Sequence, residues 1–390
     1  MLPTRITAAA LVLTVFATFC RAGQTNAPDA PPTPLIVTDV ARGLENPWGL
    51  QFLADGRMLV TERPGRMRIV ASDGTLSRPI TGVPEVVRGG QAGLLDVLLS
   101  KDFSSSGLIY FSYSEPRASQ KNATTVARAK LTLTGDGGAL SDVTAIFRQE
   151  PAIRSFHHFG SRLVWAKDGT LFITTGERAS ERDSAQDLST TLGKVIRLNA
   201  GGSVPKDNPF AGRDGARPEI WSFGHRNMQG AAINPATGEL WISEHGARGG
   251  DELNIARAGK NYGWPVITWG IDYNGSSIGE GTTKAGMEQP VYYWKPSIGT
   301  SGLAFYTGSL FKQWEGNVLA GGLSGGRLER LVLDGERVIA VEHLLVNRDD
   351  WRQDGGRQDR IRDVRIGPDG AVYVLTDNAN GKILKLTPAQ

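Results

Sequence analysis

One phrase recurs along this 390-residue chain: a tight turn with glycine, often Asp-Gly, then four or five residues rich in Val, Ile, Leu and aromatics, then small or polar residues. It reads ADGRMLVTE from Ala54, SSGLIYFSY from Ser105, KDGTLFITTGE from Lys167, ATGELWISE from Ala236, WEGNVLAGG from Trp314 and PDGAVYVLTD from Pro368. Several copies lead into a second strand-like phrase: GRMRIV from Gly65, GKVIRL from Gly193, GRLERLVL from Gly326 and GKILKL from Gly381. The two phrases together read as neighbouring antiparallel strands, with faces alternating at Met67 and Ile69. The copies are spaced by roughly 50 to 80 residues, longer than the common forty-residue propeller repeat, so the excess falls in loops. Six such units predict an all-β protein, a six-bladed β-propeller over residues 37–390 with long loops over its central channel. A β-sandwich with repeated turn chemistry is the alternative.

The 49 glycines belong to the same picture, since they fall mostly between short apolar runs. The chain begins differently. Arg5 is followed by an uncharged apolar run from Ile6 to Phe19 and a small residue at Ala22, the pattern of a signal peptide over residues 1–22. That run is short for a membrane helix, and the mature chain is expected to have no membrane span. A Pro-, Thr- and Ala-rich stretch from Gln24 to Pro34 predicts a flexible segment over 23–36. The expected location is secreted, in a periplasm. A lipoprotein anchored at Cys20, the one cysteine, is the alternative, and bulky Phe19 beside it fits such a site poorly. Removing Arg5 and Arg21 with the leader takes 43 basic residues to 41, against 40 acidic, which gives no electrostatic footprint for nucleic acid.

Polar clusters sit beside glycine where ordinary turns do not require them. RGGQAGLLDV carries Gln91, FHHFGSR carries His157 and His158, SFGHRNMQG carries His225, Arg226 and Asn227, and DRIRDVRIGPDG carries Arg360 and Arg362. Two arginines spaced i, i+2 on a strand share a face and suit a polyanionic ligand. A solvated basic edge, with Arg365 and Asp363 beside it, is the plainer reading. The stretch from Ser243 to Pro265 offers Glu244, Asp251 and Glu252 among glycines, a mixture of carboxylates and carbonyls that hard cations accept, though without EF-hand spacing. His245 lacks a partner at zinc spacing and reads as a hydrogen-bonded loop histidine. No Walker loop or dinucleotide fingerprint occurs.

These clusters, in this order from ENPWGLQFLADGRMLVTERPGRMRIV at Glu45 through GGQAGLLDV, HFGSRL, AQDLSTTLGKVIRLN, SFGHRNMQG, SEHGARGGDELN, KNYGWP and RIRDVRIGPDGAVYVLTD, resemble the soluble pyrroloquinoline quinone (PQQ)-dependent glucose and aldose sugar dehydrogenases. The resemblance covers nearly the whole mature chain and implies a six-bladed propeller that oxidises aldoses to lactones, with PQQ and calcium as cofactors and an external electron acceptor. It implies His158 as the general base. Gln91, Arg226, Asn227, Arg360 and Arg362 match residues that hold PQQ, and Tyr273 in GIDYNG is expected to line the same pocket. Gly246 and Ala247 fall where backbone carbonyls bind the catalytic calcium, and Glu252 and Tyr262 match a further calcium site of the aldose dehydrogenase branch. Two positions depart from the pattern. Ser324 stands where some members carry a lysine that anchors the cofactor, and His157 stands where glucose-oxidising members have an acid. A calcium-dependent lactonase and a non-catalytic binding propeller are the competing functions. The sugar, the electron acceptor and the choice between monomer and homodimer are not encoded in any readable motif.

Overall fold

The computed structural model describes residues 23–345 and 359–389; the expected signal peptide lies outside them. The chain forms six antiparallel sheets, five of four strands and one of three. Numbered as blades from the chain start, blade 1 contains Pro47–Phe52, Met58–Glu62 and Arg66–Val70. Blade 2 contains Leu94–Leu99, Leu108–Arg117, Lys121–Thr134 and Gly137–Arg148. Blade 3 contains Gly160–Trp165, Leu171–Thr175, Lys194–Leu198 and Ile220–Phe223. Blade 4 contains Met228–Ile233, Leu240–Glu244, Asp251–Ile255 and Tyr292–Trp294. Blade 5 contains Thr300–Phe305, Val318–Gly322, Arg327–Asp334 and Arg337–Leu344. Blade 6 contains Ile361–Ile366, Val372–Thr376 and Gly381–Pro388, and takes its outer strand, Leu35–Leu44, from the other end of the chain.

The first strand of each blade lies beside the first strand of the next, and that of blade 6 returns beside blade 1, so the ring closes. Each junction between adjacent blades has its own apolar cluster. Leu59 and Phe111 meet between blades 1 and 2, Tyr110 and Ile196 between 2 and 3, Trp241 and Leu331 between 4 and 5, and Leu50 and Leu375 between 6 and 1.

The six recurring phrases are the second strands, each with the turn before it. That turn explains the glycine: Gly56, Gly107, Gly169, Gly238, Gly316 and Gly370 all adopt positive φ, between 67° and 89°, where a side chain is disfavoured. Asp55, Asp168 and Asp369 explain the Asp-Gly preference, since each carboxylate accepts the backbone N–H two residues on, at 3.1, 2.9 and 3.1 Å.

The segment expected to be flexible, 23–36, is laid across blades 4 and 5. Gln24 accepts from the Tyr293 N–H at 2.8 Å, and Ala30 N and Val341 N bond to Val341 O and Pro28 O at 2.7 and 2.9 Å. Its prolines cannot continue a ladder, but the extended backbone they favour pairs with the open edge of Arg337–Leu344.

The channel is filled rather than open. Asp96 and Asp363 hold Arg162 at 3.0 Å each, and Arg365 reaches the same carboxylates at 3.2 and 2.9 Å. Arg162 also lies over the Trp48 ring at 4.3 Å. Asp363 and Arg365, cited above as neighbours of a solvated basic edge, instead form with Asp96 and Arg162 a buried ionic plug joining blades 2, 3 and 6. Among the described residues no helix is long and apolar enough to cross a membrane.

Candidate active site

Because the strands alternate in direction, the starts of the first strands and the ends of the second strands lie on one edge of the ring. Nearly every residue singled out in the sequence falls there. Gln91, His158 and Arg226–Asn227 lie just before the inner strands of blades 2, 3 and 4, and Arg360 and Arg362 flank the start of that of blade 6. In all six blades the pairing of first with second strand shifts register near this edge, for example between Ile361 and Asp363 and between Met228 and Gly230. A bulge at each inner strand's start turns side chains out of the ladder toward the channel mouth.

His158 is held in a left-handed conformation, φ 51°. Its N–H donates to Gln91 Oε1 at 2.8 Å, and its carbonyl presses on Gly176, where a Cβ would come within 2.0 Å of His158 O. The ring Nδ1 is 2.5 Å from Glu177 Oε2. A carboxylate only accepts, so the neutral ring carries its proton on Nδ1 and presents a lone pair at Nε2, which has no hydrogen-bond partner among the described residues. Burial pushes the imidazole below its ordinary pKa, with Arg226 and His157 acting the same way and Glu177 opposing. The result is a neutral, oriented base. His157 is exposed and its ring stands edge-on to His158, 6.4 Å between centroids. Arg178, buried on the Phe159 ring at 4.0 Å, fixes this loop through the His157 and Ser155 carbonyls at 3.0 and 2.7 Å.

The arginines surround the same mouth. Arg226 donates to Gly246 O at 2.5 Å, and Arg360 donates to Leu323 O at 3.1 Å. Arg362 pairs with Asp377 and with Gln229 Oε1. Burial opposes ionisation of Asp377, yet Arg362, Arg63 and Arg360 outweigh it and hold its carboxyl at about 2. Several buried polar atoms here have no hydrogen-bond partner among the described residues: Arg226 Nε, Asn227 Nδ2, Thr300 Oγ1 and Arg362 Nε. Each such atom costs about 1–3 kcal/mol if nothing bonds it. Donors of this kind, mostly cationic, fit a ligand rich in carboxylate and carbonyl oxygens.

His245 bonds through Nε2 to Thr300 O at 2.5 Å, as a loop histidine should, and burial lowers its pKa to about 4, with Asp251 opposing. A second polar nest lies below it. Glu244, Glu252, Tyr262, Trp264 and Thr268 line a cavity of about 10 Å³, room for one ion. Glu244 and Glu252 share Asn254 Nδ2 at 3.1 and 3.0 Å, and burial plus the Glu244 charge push the Glu252 carboxyl up to about 8. Two buried carboxylates with one amide between them suit a hard cation. The Gly246 carbonyl, expected to face calcium, accepts from the Arg226 guanidinium, and the Ala247 side chain packs with Ala185, Trp264 and Ile278. Among the described residues no three His, Cys, Asp or Glu side chains converge as metal donors.

Residues 44–385 match the glucose/sorbosone dehydrogenase family. The chain belongs to that family. It is 45% identical to the aldose sugar dehydrogenase YliI of Escherichia coli (strain K12) over 92% of its own length and 94% of that protein. A crystal structure of glucose dehydrogenase superposes with TM-score 0.85 at 46% identity, covering 91% of this chain and all (100%) of that one. The PQQ-bound aldose sugar dehydrogenase of Streptomyces coelicolor gives TM-score 0.73 at 28% identity, covering 92% and 100%. The protein is thus a sugar oxidoreductase on a six-bladed propeller.

Two expected site residues of this family member lie apart from the buried cluster. Tyr273 is 68% exposed on the loop after Ile271, which is tied to Arg248 by backbone bonds of 2.9 and 3.1 Å. Ser324 is exposed, but its neighbour Leu323 carries the carbonyl that Arg360 holds, so the position borders the arginines. Reading the sequence missed Glu177, Arg63 and Asp377, all at the ends of second strands. The signal existed in the repeat itself: the residues just after each recurring strand share the edge that carries His158.

Proposed function

We propose that this protein oxidises aldoses to lactones with PQQ, in the periplasm, passing electrons to an external acceptor. The observation that carries the reading is the neutral His158, oriented by Glu177, beside unpaired buried donors on Arg226, Asn227 and Arg362. PQQ, when bound, supplies an ortho-quinone that accepts hydride from the anomeric carbon. The protein's residues do the rest. Arg226, Arg360 and Arg362 would hold the carboxylates of the cofactor by charge-assisted bonds, with Gln91 and Asn227 at its polar edge. His158 Nε2 takes the proton of the anomeric hydroxyl, and Glu177 stabilises the imidazolium that forms. Glu244 and Glu252, with Tyr262 alongside, would hold calcium as a structural ion, and no step is assigned to a calcium at Gly246.

The test adds PQQ and calcium to apoprotein and follows dye reduction with a panel of aldoses. Turnover of at least one aldose is expected, and PQQ binding without turnover of any sugar overturns the reading. His158→Gln should retain PQQ by absorbance titration while losing about 10²–10⁴ in kcat. Undiminished turnover removes His158 from the mechanism.

A further inference from the structure

Between blades 1 and 2, on the edge that carries the site, lies a groove of about 260 Å³ lined by Asn46, Arg63, Pro64, Arg88, Gly89 and Gly90. Its charges do not balance. The acid on its wall, Glu45, is taken by Arg66 at 2.7 Å, and buried Glu62 is shared by Arg66 and Arg68 at 3.0 and 2.9 Å. Among the carboxylates of the described residues Arg63 reaches only Asp377, at 3.6 Å, which is also paired with Arg362. Its Nη1 donates to Gly90 O at 2.5 Å, but its buried Nε has no hydrogen-bond partner among the described residues. Arg88 is exposed and has no ion pair or hydrogen bond with any described residue. Two guanidiniums over a glycine floor therefore face one recess whose nearest carboxylates, Glu45 and Asp377, are each shared with another arginine. The same loop leads into the site: Gly90 precedes Gln91, whose side chain holds the His158 N–H.

We infer that this groove is a subsite for an anionic substituent on the substrate, the carboxylate of a uronic acid or the phosphate of an aldose phosphate. Arg63 and Arg88 grip the anion while the anomeric end of the sugar reaches His158. Each guanidinium can offer two parallel N–H donors to such a group. The inference rests on the sugar-oxidising reading.

The experiment uses the PQQ- and calcium-loaded protein with a neutral dye, and compares glucose, glucuronate and glucose 6-phosphate. The anionic sugars should show the lower KM, and whichever of the two is lower names the source of the charge. Arg88→Gln should raise the KM for the anionic sugars about tenfold, the equivalent of one charge-assisted hydrogen bond of about 1.4 kcal/mol, and leave that for glucose unchanged. Inorganic phosphate should compete with the anionic sugars and not with glucose. An equal effect of Arg88→Gln on all three sugars, or no effect, overturns the subsite while the dehydrogenase reading stands. A changed KM for an anionic dye with sugar parameters untouched also overturns it, and assigns the groove to the electron acceptor. Failure to oxidise any of a wide panel of aldoses overturns the parent reading and the subsite with it.

Discussion

His158 was legible from its offset to Phe-Gly-Ser-Arg, whereas its partner was not, because Glu177 lies 19 residues on and meets it only through strand pairing. The pair predicts a pH dependence. The base works as neutral imidazole, so activity rises with pH through its pKa, and Glu177 holds that pKa up against burial and Arg226. Glu177→Gln keeps an oxygen for the Nδ1–H but removes the charge. The acid limb of the kcat profile should therefore move to lower pH, and kcat on the plateau should fall about tenfold as the imidazolium loses its counter-charge. A rate loss with an unmoved limb would mean that Glu177 merely supports the loop. The repeat marks the edge on which Glu177, Asp377 and Arg63 lie, but their partners are set by register between strands, which no local spacing encodes.

Among the elements, the second strands were easy to read and the inner strands hard. Turn, glycine and a five-residue apolar run make Leu171–Thr175 or Val372–Thr376 stand out. The inner strands GSRLVW, MQGAAI and TSGLAF carry small and polar residues because they line a narrow channel, and a register shift at each start breaks the alternation. Their polar residues form the Asp96, Arg162, Asp363, Arg365 plug. Desolvation by itself raises the pKa of Asp96, with Arg162 and Arg365 countering, so its carboxylate depends on the plug. Asp96→Asn leaves Arg162 with one carboxylate and should cost about 3–5 kcal/mol of unfolding free energy, the usual penalty for breaking a buried pair. Denaturant melts of the variant measure it. A loss under about 1 kcal/mol would show that Asp363 alone neutralises both arginines.

For the whole molecule, the sequence repeat predicted the number of blades but not how the ring is fastened. Fastening falls to Leu35–Leu44, which crosses from the chain start to pair with Gly381–Pro388, from Leu35 opposite Pro388 to Leu44 opposite Gly381. Nothing in LIVTDVARGL distinguishes an outer strand of the last blade from a first strand of the first, since its partner lies more than 300 residues away. Half of the strand's residues are exposed, but Ala41 and Leu44 are buried in the cluster between blades 6 and 1, with Leu44 fully enclosed at 0% exposure. A chain beginning at Glu45 keeps every candidate site residue and loses this seal. Removing Leu44 and half-burying contacts of Leu35 and Val37 should cost about 4 kcal/mol, at about 1.5–3 kcal/mol for a fully buried leucine. It also opens the backbone edge of Gly381–Pro388 to other chains. The expected outcome is a lower urea midpoint and concentration-dependent aggregation, with PQQ still bound by the material that stays folded. An unchanged midpoint would place the closure of the ring in the inner strands and their ionic plug, and leave the terminal strand as a cover.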